Sequence, residues 1–159
     1  MTEWKRQPLV VLLVEDSPGD VRLTREAFKD AEVQIILCVV GDGAEAMNFL
    51  LRREEHANAP RPDVILLDLN LPKKDGREVL KEIKENPALK SIPVVILTTS
   101  ASDADILHSY LLHANCYITK PVDLDGFLAV VKSIDSFWLS LVKLPTNPRF
   151  YTSDSSGQE

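Results

Sequence analysis

Five apolar runs divide the chain: Leu9 to Val14, Val33 to Val40, Val64 to Leu67, Ile92 to Leu97, and the shorter Tyr117 to Thr119. Lacking the alternation of a half-exposed strand, the long runs read as strands buried on both faces, the habit of parallel sheets covered by helices. Between the runs, apolar positions recur at helical spacing. Ser17-Pro18-Gly19-Asp20 supplies an N-cap, a proline at the first helical position and an acid at the third. A helix is therefore expected to about Asp30, with Val21, Leu23, Thr24, Ala27 and Phe28 partly inward. Asp42-Gly43-Ala44-Glu45 is a capping box for a helix through about Arg53. The polar stretch Glu54 to Arg61 then reads as a loop, with His56 solvated. Asp75 caps a helix to about Glu85, stopped by Asn86-Pro87, and Ser102 to Asp105 opens another carrying Ile106, Leu107, Tyr110 and Leu111. A last helix starts after Asp123. Strand and helix alternate through short connections, which implies a five-stranded parallel sheet with helices on both faces.

Four of the runs end on groups that carry chemistry. The first delivers Glu15-Asp16, the third Asp68, the fourth Thr98 and the fifth Lys120, just before Pro121. Ligands of open α/β sheets bind at that carboxyl edge. A lone Asp after an apolar run is ordinarily a turn residue or a helix cap. Here, however, three other strand ends converge on it. If the first and third strands are neighbours, three carboxylates cluster and raise one another's pKa, unless a hard cation such as Mg²⁺ neutralises them through oxygen ligands. Acids, a hydroxyl and an ammonium are together the parts for taking a phosphoryl group onto an aspartate.

Composition narrows the class. With 159 residues, 45% of them hydrophobic, one domain with a full core is expected. A formal net charge of −6 leaves no basic footprint for nucleic acid. No run approaches a membrane span, and no signal-peptide core follows Trp4-Lys5-Arg6, so a soluble, cytoplasmic protein is expected.

Four motifs stand in order: Val14-Glu15-Asp16; Leu67-Asp68-Leu69-Asn70-Leu71-Pro72; Leu97-Thr98-Thr99-Ser100; and Tyr117-Ile118-Thr119-Lys120-Pro121. From about Leu9 to about Ser136 the sequence thereby resembles the receiver domain of two-component response regulators. The resemblance implies a doubly wound, flavodoxin-like sheet in the order 2-1-3-4-5. It also implies that Asp68 is the phosphoacceptor, loaded by a sensor histidine kinase. Mg²⁺, or Mn²⁺, would be held by Glu15, Asp16, Asp68 and the backbone carbonyl of Asn70. Thr98 and Tyr117 would form the switch pair and Lys120 would contact the phosphoryl group. Output would pass through the face made by the helix opening at Ser102, the last strand and the last helix. Cys38 and Cys116 fall on strands at opposite edges of that order, so buried free thiols are expected rather than a disulfide.

Two departures from the family pattern stand out. His113 occupies the usual C-cap glycine of the turn His113-Ala114-Asn115, where a cap role is expected of it, and His108 carries no functional expectation. Thr99 replaces a smaller residue beside Thr98 and is expected to hinder hydrolytic water.

The C-terminal part is the least generic. Ser136-Phe137-Trp138-Leu139-Ser140, together with Leu112 to Lys120, resembles the small response regulators paired with bacterial phytochromes, especially the cyanobacterial kind. On a wheel of about 100° per residue, Val130, Phe137, Leu141 and Leu144 widen the apolar arc of the last helix to about 180°, well beyond the ~100° that one sheet face requires. A homodimer through these residues is expected. The domain reading is an N-terminal extension over 1–8, a receiver over 9–144 and a disordered tail over 145–159, with no output domain and an unnamed downstream target. An alternative enzyme, a Mg²⁺-dependent phosphatase of the haloacid-dehalogenase type, wants a second Asp where Asn70 stands. A phosphate-independent adaptor would not need the acid set.

Overall fold

Helix caps written in the sequence mark where the chain turns back from each strand. The computed structural model describes residues 8–99 and 116–132. In order they form β1 (Leu9–Val14), α1 (Pro18–Phe28), β2 (Ile35–Val40), α2 (Gly43–Leu50), a 3-10 turn (Glu54–His56), β3 (Val64–Asp68), α3 (Gly76–Glu85), β4 (Val94–Thr98), β5 (Cys116–Thr119) and α4 (Leu124–Lys132). Ser17 Oγ accepts from the Asp20 N–H at 3.3 Å. Asp42 Oδ1 accepts from the Glu45 N–H at 2.7 Å, and Glu45 Oε1 accepts in return from the Gly41 N–H at 3.1 Å. Asp75 Oδ1 accepts from the Arg77 N–H at 3.3 Å. Each cap satisfies a donor the helix cannot satisfy itself.

The five strands are all parallel, in the order β2-β1-β3-β4-β5. Successive side chains go to opposite faces. Leu12, Val14, Ile65, Leu67, Val94 and Ile96 therefore pack with Ala46, Met47, Val79, Leu80 and Ile83 beneath α2 and α3. Val11, Leu13, Val64, Leu66, Val95 and Leu97 pack with Phe28, Phe127 and Val131 beneath α1 and α4. The Phe28 and Phe127 rings meet at 4.7 Å and join those two helices. Val130 is half-buried against this second cluster.

Three expectations are corrected. Leu23 is 51% exposed, because α1 commits only Thr24 and Phe28 fully to the sheet. Cys38 and Cys116 are free but half-buried, since an edge strand is covered less completely than the centre. His56 is half-buried rather than solvated, its ring 5.4 Å from that of Phe49. The helix opening at Ser102, His108, His113, Phe137, Leu141, Leu144 and both terminal segments lie outside the described residues.

Candidate functional site

The register explains why strand-end residues meet. Val14 pairs with Leu67, so Glu15 and Asp68 stand at the same height on adjacent strands. The Glu15 N–H carries on the β1 ladder by donating to Val40 O at 3.0 Å. Asp68 is buried, 6% exposed. Its Oδ1 accepts the Asn70 N–H at 3.0 Å and its Oδ2 lies 2.8 Å from Lys120 Nζ. Gly76, at the start of α3, is packed so tightly here that a Cβ would sit 2.5 Å from Asp68 O and 2.6 Å from Leu69 Cα.

Thr98 ends β4, buried, one residue beyond the partner of Asp68. The Lys120 N–H donates to Thr98 O at 2.7 Å, tying the lysine to the same edge, and the Lys120-Pro121 peptide is cis. Thr99 is exposed at the rim, and Tyr117 is 46% exposed on β5, paired with Ile96. Lys120 Nζ stands 2.8 Å from Glu15 Oε1 and from Asp68 Oδ2, and 3.1 Å from Asp20 Oδ2. The sequence motifs leave Asp20 outside the site. Its position in the first turn of α1 explained it fully as a helix-dipole acid. The available signal is its place four residues after Asp16, in the first turn of the helix that Ser17 caps.

Burial alone would lower the Lys120 pKa, but the carboxylates of Asp68, Glu15 and Asp20 around it outweigh burial and hold the ammonium above the ordinary lysine range. Burial raises the Glu15 carboxyl, Lys120 pulls it back, and the Asp68 charge raises it again, for a net upward shift. Glu15 Oε2 accepts the Ser17 N–H at 3.1 Å. Glu15 Oε1 is fully buried and meets Lys120 as an ion pair without hydrogen-bond alignment.

That under-satisfied oxygen belongs to a set suited to a hard cation. Glu15, Asp16 and Asp68 offer oxygens within 4.8 Å of one another, with Asp16 exposed and the other two buried. An oxygen-only, carboxylate-rich set fits Mg²⁺ or Mn²⁺ rather than a soft metal. Glu45, Glu55 and His56 also approach one another, with His56 Nε2 3.4 Å from Glu45 Oε2, but Glu55 is largely exposed, and exposed acidic groups commonly cluster without an ion.

The family model described as the response regulator receiver domain matches residues 11–132. The chain belongs to this family. It is 53% identical over 145 residues to the response regulator Rcp1 of Synechocystis sp., covering 91% of this chain and 99% of that one. The Mn²⁺-bound crystal structure of Rcp1 superposes with a TM-score of 0.68 at 56% identity, covering 87% of this chain and all of that one. The phosphorylated cyanobacterial phytochrome response regulator RcpA gives 0.69 at 54%, covering 88% and 100%. The bacteriophytochrome response regulator AtBRR gives 0.77 at 39%, covering 83% and 96%. This receiver is therefore close to the cyanobacterial phytochrome response regulators. Among its described residues no helix is long and apolar enough to cross a membrane.

Proposed function

We propose that this receiver accepts a phosphoryl group on Asp68 from the phosphohistidine of a sensor histidine kinase, of the phytochrome class, and signals by changing its protein contacts. The observation that carries this reading is the buried Asp68 carboxylate, held between the Asn70 N–H and the Lys120 ammonium. One Asp68 oxygen attacks phosphorus, the new P–O bond forms as the P–N bond to the kinase imidazole breaks, and the imidazole leaves with the electron pair. Lys120 balances charge on the phosphoryl oxygens, and the Thr98 hydroxyl donates to one of them. Glu15, Asp16, Asp68 and the Asn70 carbonyl would hold Mg²⁺, or Mn²⁺, which supplies the remaining charge neutralisation. Thr99 limits the approach of hydrolytic water. The protein turns over no external substrate and works in the cytoplasm. Relatives named as phytochrome response regulators support the choice of kinase. Profiling phosphotransfer from the sensor kinases of the source organism tests it. A phytochrome-class kinase should load the wild type fastest and Asp68→Asn not at all; a uniform response, or a loaded Asp68→Asn, would overturn it.

Two further elements complete the proposal. Thr98, drawn toward the phosphoryl group, vacates space that the exposed Tyr117 ring enters, so Thr98→Ala should abolish the phosphorylation-dependent change in partner affinity. A homodimer forms through Val130, Phe137, Leu141 and Leu144. Sedimentation at tens of micromolar should give a dimer for wild type and a monomer for Phe137→Glu/Leu141→Glu, whereas a monomeric wild type with and without beryllofluoride contradicts it.

A further inference from the structure

Lys120 Nζ stands among three carboxylates, hydrogen-bonded to Asp68 and Asp20 and paired in charge with Glu15. Glu15 and Asp68 come from the strand ends, at 2.8 Å; Asp20 comes from α1, at 3.1 Å. The α1 contact is itself held in place. The Asp20 N–H donates to Ser17 Oγ at 3.3 Å, and Thr24 Oγ1 donates to Asp20 O at 2.9 Å. The Lys120 stem, by contrast, is a flexible four-carbon chain. Two anchors leave the ammonium free to swing about the line joining them, and a third removes that freedom.

The three anchors differ in what the reaction does to them. Asp68 stops being a free carboxylate when it becomes an acyl phosphate, and Glu15 belongs to the cation-binding set. Asp20 is in neither position.

We infer that Asp20 is a positioning residue for phosphoryl transfer, holding Lys120 in place from the α1 side while its contact with Asp68 is rearranged. This rests on the reading of Asp68 as phosphoacceptor. Because Lys120 stabilises the same kind of transition state when the phosphoryl group arrives and when water removes it, loosening Lys120 slows both steps. Losing the Asp20 charge has an opposite effect, easing the approach of anionic donors. Asp20 is 37% exposed, so solvent and salt weaken that effect and loss of order prevails.

The test measures labelling by acetyl phosphate and by the less charged phosphoramidate, and the lifetime of the label, with Mg²⁺ present. Asp20→Asn and Asp20→Ser should slow labelling by both donors and hydrolysis alike, each about tenfold, and Asp20→Glu should recover most of the loss. In a Lys120→Met background Asp20→Asn should change nothing further, which a merely structural role would not produce. Without metal, the Lys120 ammonium signal in ¹H–¹⁵N spectra should broaden in Asp20→Asn through faster proton exchange. Unchanged or faster labelling by both donors, or an equal slowing in the Lys120→Met background, would overturn the inference. Asp68→Asn separates the two failures: a silent Asp20→Asn with an unlabelled Asp68→Asn removes only the role of Asp20, whereas a labelled Asp68→Asn removes the phosphoacceptor reading itself.

Discussion

Lys120 concentrates the electrostatics of the site in one side chain. Removing it leaves Glu15, Asp20 and Asp68 without their shared counter-charge. Lys120→Met should therefore lose about 3–5 kcal/mol of stability at neutral pH, the scale for a buried charge stripped of its partner. Mg²⁺ should restore part of the loss by binding the folded state. The sign with pH follows from the raised pKa. The folded value lies above the ordinary 10.5, so the stabilisation is complete below 10.5 and disappears as pH rises through the higher folded value. Urea titrations of both proteins should give a difference that is flat from neutrality to about pH 10 and shrinks above it. Gly76 is the second decisive residue. A methyl group there would strike Asp68 O and Leu69 Cα, both backbone atoms. Gly76→Ala should cost about 1–3 kcal/mol and slow labelling of Asp68 by displacing its loop; urea melts and labelling rates check both. Asp68, Glu15 and Lys120 were legible because each closes an apolar run. Asp20 was not, because its contact spans a hundred residues of chain and its local role as a helix-start acid was already sufficient.

Elements were legible where the information is local. Ser17, Asp42 and Asp75 all cap the helices assigned to them, since a cap is a contact between residues two or three apart. Ser17→Ala should accordingly cost about 1 kcal/mol in chemical denaturation. Exposure was less legible. The residues of β2, Ile35 to Val40, are as apolar as those of β3, yet β2 is half-buried and β3 fully buried, because edge position is a property of the sheet and not of the strand. Leu23 was misread for a similar reason: helical spacing allowed it inward, but α1 meets the sheet through Thr24 and Phe28. Leu23→Ser should stay within about 0.5 kcal/mol of wild type, while Phe28→Ala should lose about 3 kcal/mol or more through its contact with Phe127. Thermal or urea melts of the pair separate the two cases.

The whole molecule brings these pieces to one edge. Strand order could not be derived from the runs themselves, which say only that neighbours are parallel; it came from the family resemblance, and the sheet has it. That order makes β1 and β3 neighbours, and their adjacency turns separated acids into one cluster of oxygens that could hold a cation, beside the carboxylate proposed to take the phosphoryl group. The central claim is that Asp68 is where the phosphoryl group goes. It is tested most directly by phosphorylating the protein with acetyl phosphate and Mg²⁺, reducing with borohydride and sequencing the peptides by mass spectrometry. Reduction converts an aspartyl phosphate to homoserine, so homoserine should appear at position 68, and only when the donor was present. Homoserine at another aspartate, or an unmodified Asp68 in a protein that carries the label, would contradict the account.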